Sequence, residues 1–371
     1  MPRESRYRGV LARLSAFWRG LTDGLTLQEL WTQFRRETGH SFRLYSSELD
    51  HRLEGAPGRR RHLGYARALL RAMVLKLSPA RRLVLLLAFV LLVVGWITPA
   101  GFYAVIGTFL LVALLGLELA DRVAMKRDLQ IAREIQGWLV PDTPPQVPGH
   151  AVAFATRPAN TVAGDYYDAF RRPSPSSGDG PWLLVVADVA GKGLPAALLM
   201  ASFQSSLHTL VQEPLPLIEV VRRLNAYTCA HSLEGSRFTT AVLAQLEPAT
   251  GELEYVNAGH NPPLLRRADG RLEALEAGGL PLGIRAEEAY AVGRARLAPG
   301  DVLVCYTDGV VEARGPADED YGEERLRALL RDPAPRGAAE MLERVMGAIE
   351  AYTGDAPRAD DETCLVLSAG S

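Results

Sequence analysis

The sequence predicts an α+β fold of antiparallel sheets with helices clustered between groups of strands, preceded by an apolar helical hairpin. Three observations predict it. Residues 83–97 and 102–119 are apolar runs separated by Thr98-Pro99-Ala100-Gly101. Beyond Pro148 the chain changes to short apolar runs, several joined by hairpin signals such as Glu247-Pro248-Ala249-Thr250-Gly251 and Asp269-Gly270. Helical stretches fall between groups of these runs rather than after each one, which argues against a regularly alternating parallel sheet. At 371 residues, 48% hydrophobic and 23% charged, the chain is too large for one small core and too apolar for a disordered protein.

Residues 1–82 form a basic region, expected to be mostly helical and cytosolic. They hold 17 Arg and Lys against 7 Asp and Glu, a net +10, which leaves 24 against 36, a net −12, for the remainder. The two parts face different surroundings. Within the basic region, residues 63–77 place Ala66, Leu70, Met73 and Leu77 on one helical face, with Arg67, Arg71 and Lys76 elsewhere. That pattern suits a helix lying on an anionic membrane, and equally an amphipathic helix packed on its own domain. Nucleic acid is the weaker partner for this charge, because the adjoining membrane already offers an anionic surface. No compact apolar stretch with a small-residue cleavage site opens the chain, which argues against a removable secretory signal.

The apolar runs at 83–97 and 102–119 predict a transmembrane helical hairpin, since a bilayer core of about 30 Å takes roughly 20 helical residues. A buried hairpin in a soluble protein is the alternative, but some 35 nearly uncharged residues favour the bilayer. Arg81 and Arg82 precede the first run, and Arg122, Lys126 and Arg127 follow the second. The positive-inside bias therefore puts both termini in the cytoplasm of a multi-pass inner-membrane protein, with only a tight turn outside.

Residues 120–140 have helix-forming composition and run into the proline-rich PDTPPQVP, so they predict a linker helix. Leu117, Ala124, Ile131 and Trp138 stand seven apart with Ile135 in support, which allows a homodimeric coiled coil, although Asp128 falls on the complementary seam position. The remaining domain, residues 141–371, has strand-like runs at 182–187, 240–246, 252–258, 262–267 and 301–306, and helical stretches at about 194–210, 214–231, 323–331 and 337–352. PSPSSGDG at 173–180 reads as a hairpin loop. Cys229, Cys305 and Cys364 show no paired spacing, so neither a disulfide framework nor a thiolate metal site is indicated, and a reducing compartment fits.

Four aspartates stand at strand ends or turns: Asp165 in AGDYYD, Asp188 in VVADVAGKG, Asp308 in CYTDGVVEA and Asp360 in RADDETCLVL. Singly, each has a plain explanation as a turn or helix-cap residue. Together, several strands each delivering a carboxylate to one sheet edge would make a site for hard divalent cations. Two such ions can share a bridging carboxylate and activate water against phosphorus.

The motifs LQIAREIQGWLVP, RPANTVAGDYYD, DVAGKGLPAALLM, RFTTAVLAQL, NAGHNPPLL, GGLPLGI, TDGVVEAR, YGEERL and ADDETCLVL occur in this order over about residues 129–368. This series resembles the metal-dependent PPM (type 2C) protein serine/threonine phosphatases, in the bacterial SpoIIE/RsbU-type branch. The resemblance implies an α-β-β-α sandwich, two antiparallel sheets flanked by helices, with two divalent ions, Mn2+ or Mg2+, at one sheet edge. On the matching positions it implies Asp188 as the bridge between the ions, with the carbonyl of Val189 as a further ligand. Asp165 would bind one ion, and Asp308 and Asp360 the other. Gly164, Gly191 and Gly309 would admit close backbone approach, and Asp361 is the neighbouring candidate to Asp360. The chain departs from the pattern at Ala163, where relatives carry Gly, and at Asn160, where many carry a basic or other polar residue. At Ala190 the animal enzymes often have a His proposed to protonate the leaving group. His260 is read as organising a turn or core contact, and Lys192 and Arg157 are the basic candidates for holding phosphate.

The resemblance further implies hydrolysis of phosphoserine or phosphothreonine on a cytosolic regulator of the anti-sigma-factor-antagonist type. Two other readings stand beside it. A catalytically silent pseudophosphatase serving as a membrane scaffold would keep the fold without turnover, and the presence of all four aspartates argues against it. A small-molecule phosphohydrolase would need a deep enclosed pocket rather than an open edge.

Overall fold

The computed structural model describes residues 74, 77–99, 101–173, 180–231, 237–332 and 337–370. The basic region at 1–62, nearly all of the amphipathic stretch at 63–77, and the centre of the 173–180 loop lie outside the described residues. The chain divides into two compact units, residues 1–121 and 122–371.

In the first unit, α1 (Pro79–Ile97) begins after Ser78, whose side chain accepts from the Arg81 N–H, with proline at the start of the helix where its missing N–H costs nothing. The 19 residues of α1 are long and apolar enough to cross a bilayer, as is the first half of α2 (Phe102–Gly137). The two helices approach closely at small residues. A Cβ on Gly107 would stand 2.8 Å from the Ala88 carbonyl, and one on Gly95 would stand 2.4 Å from the Ala104 nitrogen. Leu83, Phe89, Trp96, Phe109 and Val112 point outward with more than 60% of their surface exposed. At the base, Arg81 pairs with Glu118 at 3.1 Å and Asp121 at 2.7 Å. The linker is not a separate helix: α2 continues unbroken to Gly137 and stops before the prolines.

The second unit is a sandwich. One sheet has the order β1 (His150–Arg157), β11 (Glu362–Ala369), β10 (Val302–Tyr306), β6 (Leu264–Arg266), β7 (Leu272–Ala274). The other has β2 (Tyr166–Arg171), β3 (Trp182–Val189), β4 (Thr239–Glu247), β5 (Glu252–Ala258), β8 (Gly278–Gly279), with β9 (Gly293–Arg296) also on β5. Pairing is antiparallel throughout except for the two-residue β8, which runs parallel to β5. The expected hairpins at 247–251 and 269–270 join β4 to β5 and β6 to β7, and Gly251 and Gly270 sit at φ +70° and +88°, where only glycine is unstrained.

Strand alternation explains why the buried strands read as continuous apolar runs. Leu183, Val185, Ala187 and Val189 face one layer, where Met200, Phe203 and Leu207 of α3 (Leu194–Leu210) and Val220 and Leu224 of α4 (Leu217–His231) cover them. Leu184 and Val186 face the opposite way and meet Leu303, Cys305, Leu365 and Leu367 between the sheets. Val302, Val304 and Tyr306 then face a third layer with α5 (Asp308–Val311), α6 (Glu323–Arg331) and α7 (Ala338–Thr353). Both faces of both sheets are covered, giving the α-β-β-α order of layers. Cys305 and Cys364 are buried and Cys229 half-buried, none of them in a disulfide, and Cys229 Sγ donates to Asn225 Oδ1 at 3.7 Å.

Candidate active site

Strand register brings the aspartates to one edge. Asp165 immediately precedes β2, and Asp188 is the penultimate residue of β3, with Tyr166 opposite Ala187. Asp308 follows β10 and Asp360 precedes β11, with Tyr306 opposite Cys364. The two pairs come from different sheets, and Thr307 links them: its Oγ donates to Asp165 Oδ2 at 2.9 Å, while Thr363 N–H donates back to the same hydroxyl at 3.1 Å. Thr307 is fully buried, so this hydroxyl fixes Asp165 in one orientation.

The Asp360-Asp361 pair divides its tasks. Asp361 accepts from the N–H groups of Ala159 at 2.8 Å and Gly164 at 2.7 Å, holding the 159–164 loop with both oxygens. Asp360 turns outward, accepting the Asp361 N–H at 2.9 Å and pairing with Lys192 Nζ at 2.7 Å. Gly309 is required here, because a Cβ on it would lie 2.1 Å from the Asp361 carbonyl oxygen. At Gly164 the fit is looser, with the Val189 carbonyl 3.2 Å from the position of a Cβ. Gly191 takes φ +118° in the loop after β3.

Crowding and burial at this edge raise the carboxyl pKa values. Burial, then the Asp188 charge, raises the Asp165 carboxyl well above its usual range. Burial followed by Asp308 and Asp360 pushes Asp188 up to about 7. Asp308 is raised by burial and Asp360, and Asp361 chiefly by burial. Glu312 joins the cluster, raised by burial and then by Asp308. Such a concentration of hard oxygen donors and unbalanced negative charge fits divalent cations of the Mg2+ or Mn2+ kind. Among the described residues, however, no three such side chains stand as a finished cage: Asp361 is spent on backbone N–H groups and Asp360 on Lys192.

Several basic and polar residues take other places. Arg157 reaches α7, donating to the Met346 carbonyl at 3.1 Å and Glu350 at 2.8 Å, so it is not directed at the aspartates. His260 is buried, its Nδ1 2.7 Å from Thr240 Oγ, with burial lowering it to about 4. Its backbone N–H is held by Asn257 at 2.7 Å, so it organises the turn after β5 and stays neutral. The sequence shows Gln136 only as part of the linker motif LQIAREIQGWLVP, with no role attached. Its amide donates to the Ala163 carbonyl at 2.7 Å and accepts from the Ala163 N–H at 2.9 Å, tying the last turn of α2 to the residues before Asp165. Sequence reasoning did not single out Thr307, though its place directly before Asp308 was a usable signal.

A profile for stage II sporulation protein E (SpoIIE) matches residues 178–370, more than half of the chain. The chain belongs to the SpoIIE family of PP2C-type phosphatases. This SpoIIE-family chain is 29% identical over 246 residues to the phosphoserine phosphatase RsbU of Bacillus subtilis, covering 66% of this chain and 70% of that protein. It is 28% identical over 229 residues to protein IcfG of Synechocystis, covering 55% of this chain but only 35% of that protein. Among solved structures, the SiaA PP2C domain of Pseudomonas aeruginosa superposes with a TM-score of 0.56 at 22% identity, over 67% of this chain and 98% of that one. The PP2C domain of SpoIIE from Bacillus subtilis gives a TM-score of 0.51 at 17% identity, over 61% and 64%. These superpositions establish the PP2C fold.

Proposed function

We propose that this chain is a membrane-anchored, metal-dependent protein serine/threonine phosphatase. The observation that carries the reading is the delivery of Asp165, Asp188, Asp308 and Asp360 by four strands of two sheets to one partly exposed edge. In this reading Asp165, Asp188, Asp308 and Asp360, with the Val189 carbonyl, would hold two divalent ions, Asp188 being the residue that would serve both. Bound there, Mn2+ or Mg2+ supplies an activated water and neutralises charge developing on a phosphoryl group. The protein's own part is positional: Thr307 orients Asp165, Asp361 holds the loop ending in Gly164, and Gly309 lets the 360–361 backbone close against α5. Ala190 offers no acid for the leaving alkoxide, so its protonation falls to a water or to another group.

An open edge suits a phosphoserine or phosphothreonine presented on a folded protein. RsbU and RsbP are both named phosphoserine phosphatases, which supports phosphoserine as the group hydrolysed; a cytosolic regulator of the anti-sigma-factor-antagonist type is the substrate protein that the sequence resemblance implies. The apolar outward faces of α1 and α2 support anchoring in the inner membrane, with both termini and the catalytic unit in the cytoplasm. The proposed division is 1–82 cytosolic, 83–119 membrane hairpin, 120–140 linker and 141–371 phosphatase. Mn2+-dependent phosphate release from a phosphoserine protein by the full-length chain in detergent tests this. Asp188→Asn and Asp308→Asn are each expected to reduce release by about 100-fold or more. A folded wild-type chain that binds Mn2+ but releases no phosphate would favour the scaffold reading.

A further inference from the structure

We propose that Lys192 is a latch on the metal site, its ammonium standing in for a cation on Asp360 and having to leave before that carboxylate can ligate an ion. The inference rests on the binuclear reading of the aspartates. Lys192 lies in the loop after Asp188, and both of its contacts fall on the loop before β11: the Ala359 carbonyl at 2.6 Å and Asp360 Oδ2 at 2.7 Å. One side chain therefore ties together the two carboxylate-bearing loops contributed by different sheets. With Oδ1 of Asp360 already accepting the Asp361 N–H, both oxygens of this aspartate are engaged. The same positive charge acts on Asp308 and Glu312, partly offsetting the repulsion around them.

The latch is built to open. Lys192 remains 55% exposed, so its ammonium can return to water at little cost. Gly191 and Gly193 flank it at φ +118° and +70°, and a Cβ on either would meet nothing within 4 Å. The loop thus has conformational freedom and open space on both sides of the lysine. An ammonium and a divalent ion cannot share one carboxylate oxygen without strong like-charge repulsion, so lysine and metal compete for Asp360.

Mn2+ titration of the metal-stripped, full-length chain in detergent, without substrate, tests the latch by calorimetry and by the electron paramagnetic resonance signal of free Mn2+. An exposed ion pair biases an equilibrium by roughly two- to fivefold, and removing the repulsion adds to this. Lys192→Met is therefore expected to tighten Mn2+ binding by about tenfold. Lys192→Arg, which keeps the charge, is expected to stay within about twofold of wild type. Lys192→Gln serves as a second neutral replacement, with circular dichroism confirming that each variant is folded. Neutral variants that bind Mn2+ no more tightly than wild type overturn the latch while leaving the binuclear reading intact. A folded wild type and neutral variants that all take up no Mn2+ overturn both.

Discussion

Replacing Gly309 by alanine should damage the site by displacing backbone rather than by removing a donor. The added Cβ would stand 2.1 Å from the Asp361 carbonyl oxygen and 2.8 Å from its carbonyl carbon, whereas ordinary contact begins at 3.4 Å. The obstacle is main chain on both sides, so relief requires α5 and the 360–361 loop to separate by more than an ångström. Overpacking of this kind costs about 2–3 kcal/mol. In a domain of this size that lowers Tm by roughly 5–10 °C. The separation also moves Asp308 away from Asp360 and strains the hold of Asp361 on the Ala159 and Gly164 N–H groups. Gly309→Ala is thus expected to lose Mn2+ affinity by at least about tenfold, since ligands must be held to within a fraction of an ångström. Gly347→Ala is the control: it lies inside α7, its Cβ would meet nothing within 4 Å, and alanine favours a helix by about 1 kcal/mol. Differential scanning calorimetry in EDTA and in Mn2+ reads both effects. A Gly309→Ala chain with wild-type Tm and Mn2+ affinity would refute the packing argument.

Three further outcomes are expected. Gln136→Ala removes two hydrogen bonds that fix Ala163 and should lower Mn2+-dependent turnover by roughly tenfold and Tm by roughly 3–10 °C, because an unsatisfied amide pair costs about 1–3 kcal/mol; unchanged turnover would separate α2 from the site. The metal-free chain should lose stability as pH rises from about 4 through about 7. Asp188 is raised to about 7 when folded, so its protonated form stabilises the fold below the ordinary carboxylate value and that contribution is gone above 7. Saturating Mn2+ should flatten this slope in thermal melts, and equal slopes with and without metal would count against carboxylate crowding as its source. Ile131 and Ile135 are about half exposed on α2, and Ile131→Asp with Ile135→Asp should reduce dimer content or activity, read by light scattering and phosphate release; no change in either would remove the seam.

Much of this fold was legible because its strands are covered on both faces and so appear as unbroken apolar runs, as at 182–187 and 301–306. The helices at 194–210 and 323–331 coincide with their predicted spans because their apolar spacing has nothing to compete with it. The strands β1 and β2 were harder to see. HAVAFATR mixes small and polar residues because β1 is an edge strand, and YYDAFR carries Asp168, whose buried carboxylate is matched by Tyr166 and His208 at 2.7 and 2.8 Å. Each aspartate stands beside a strand-like run, but it is the resemblance to the phosphatase family that groups the four. Their supports were not legible: Thr307, Gln136 and the Lys192 contact act across 142, 27 and 168 residues of sequence, and only tertiary packing reveals such pairs. The division between Asp360 and Asp361 likewise depends on the N–H groups of a distant loop.

The most direct test of the central claim is anomalous scattering at the manganese edge from crystals of the full-length chain grown with Mn2+. Two peaks flanking Asp188, one beside Asp165 and the other beside Asp308 and Asp360, are predicted. Peaks elsewhere, or none at this edge in a protein that still releases phosphate with Mn2+, would contradict the assignment.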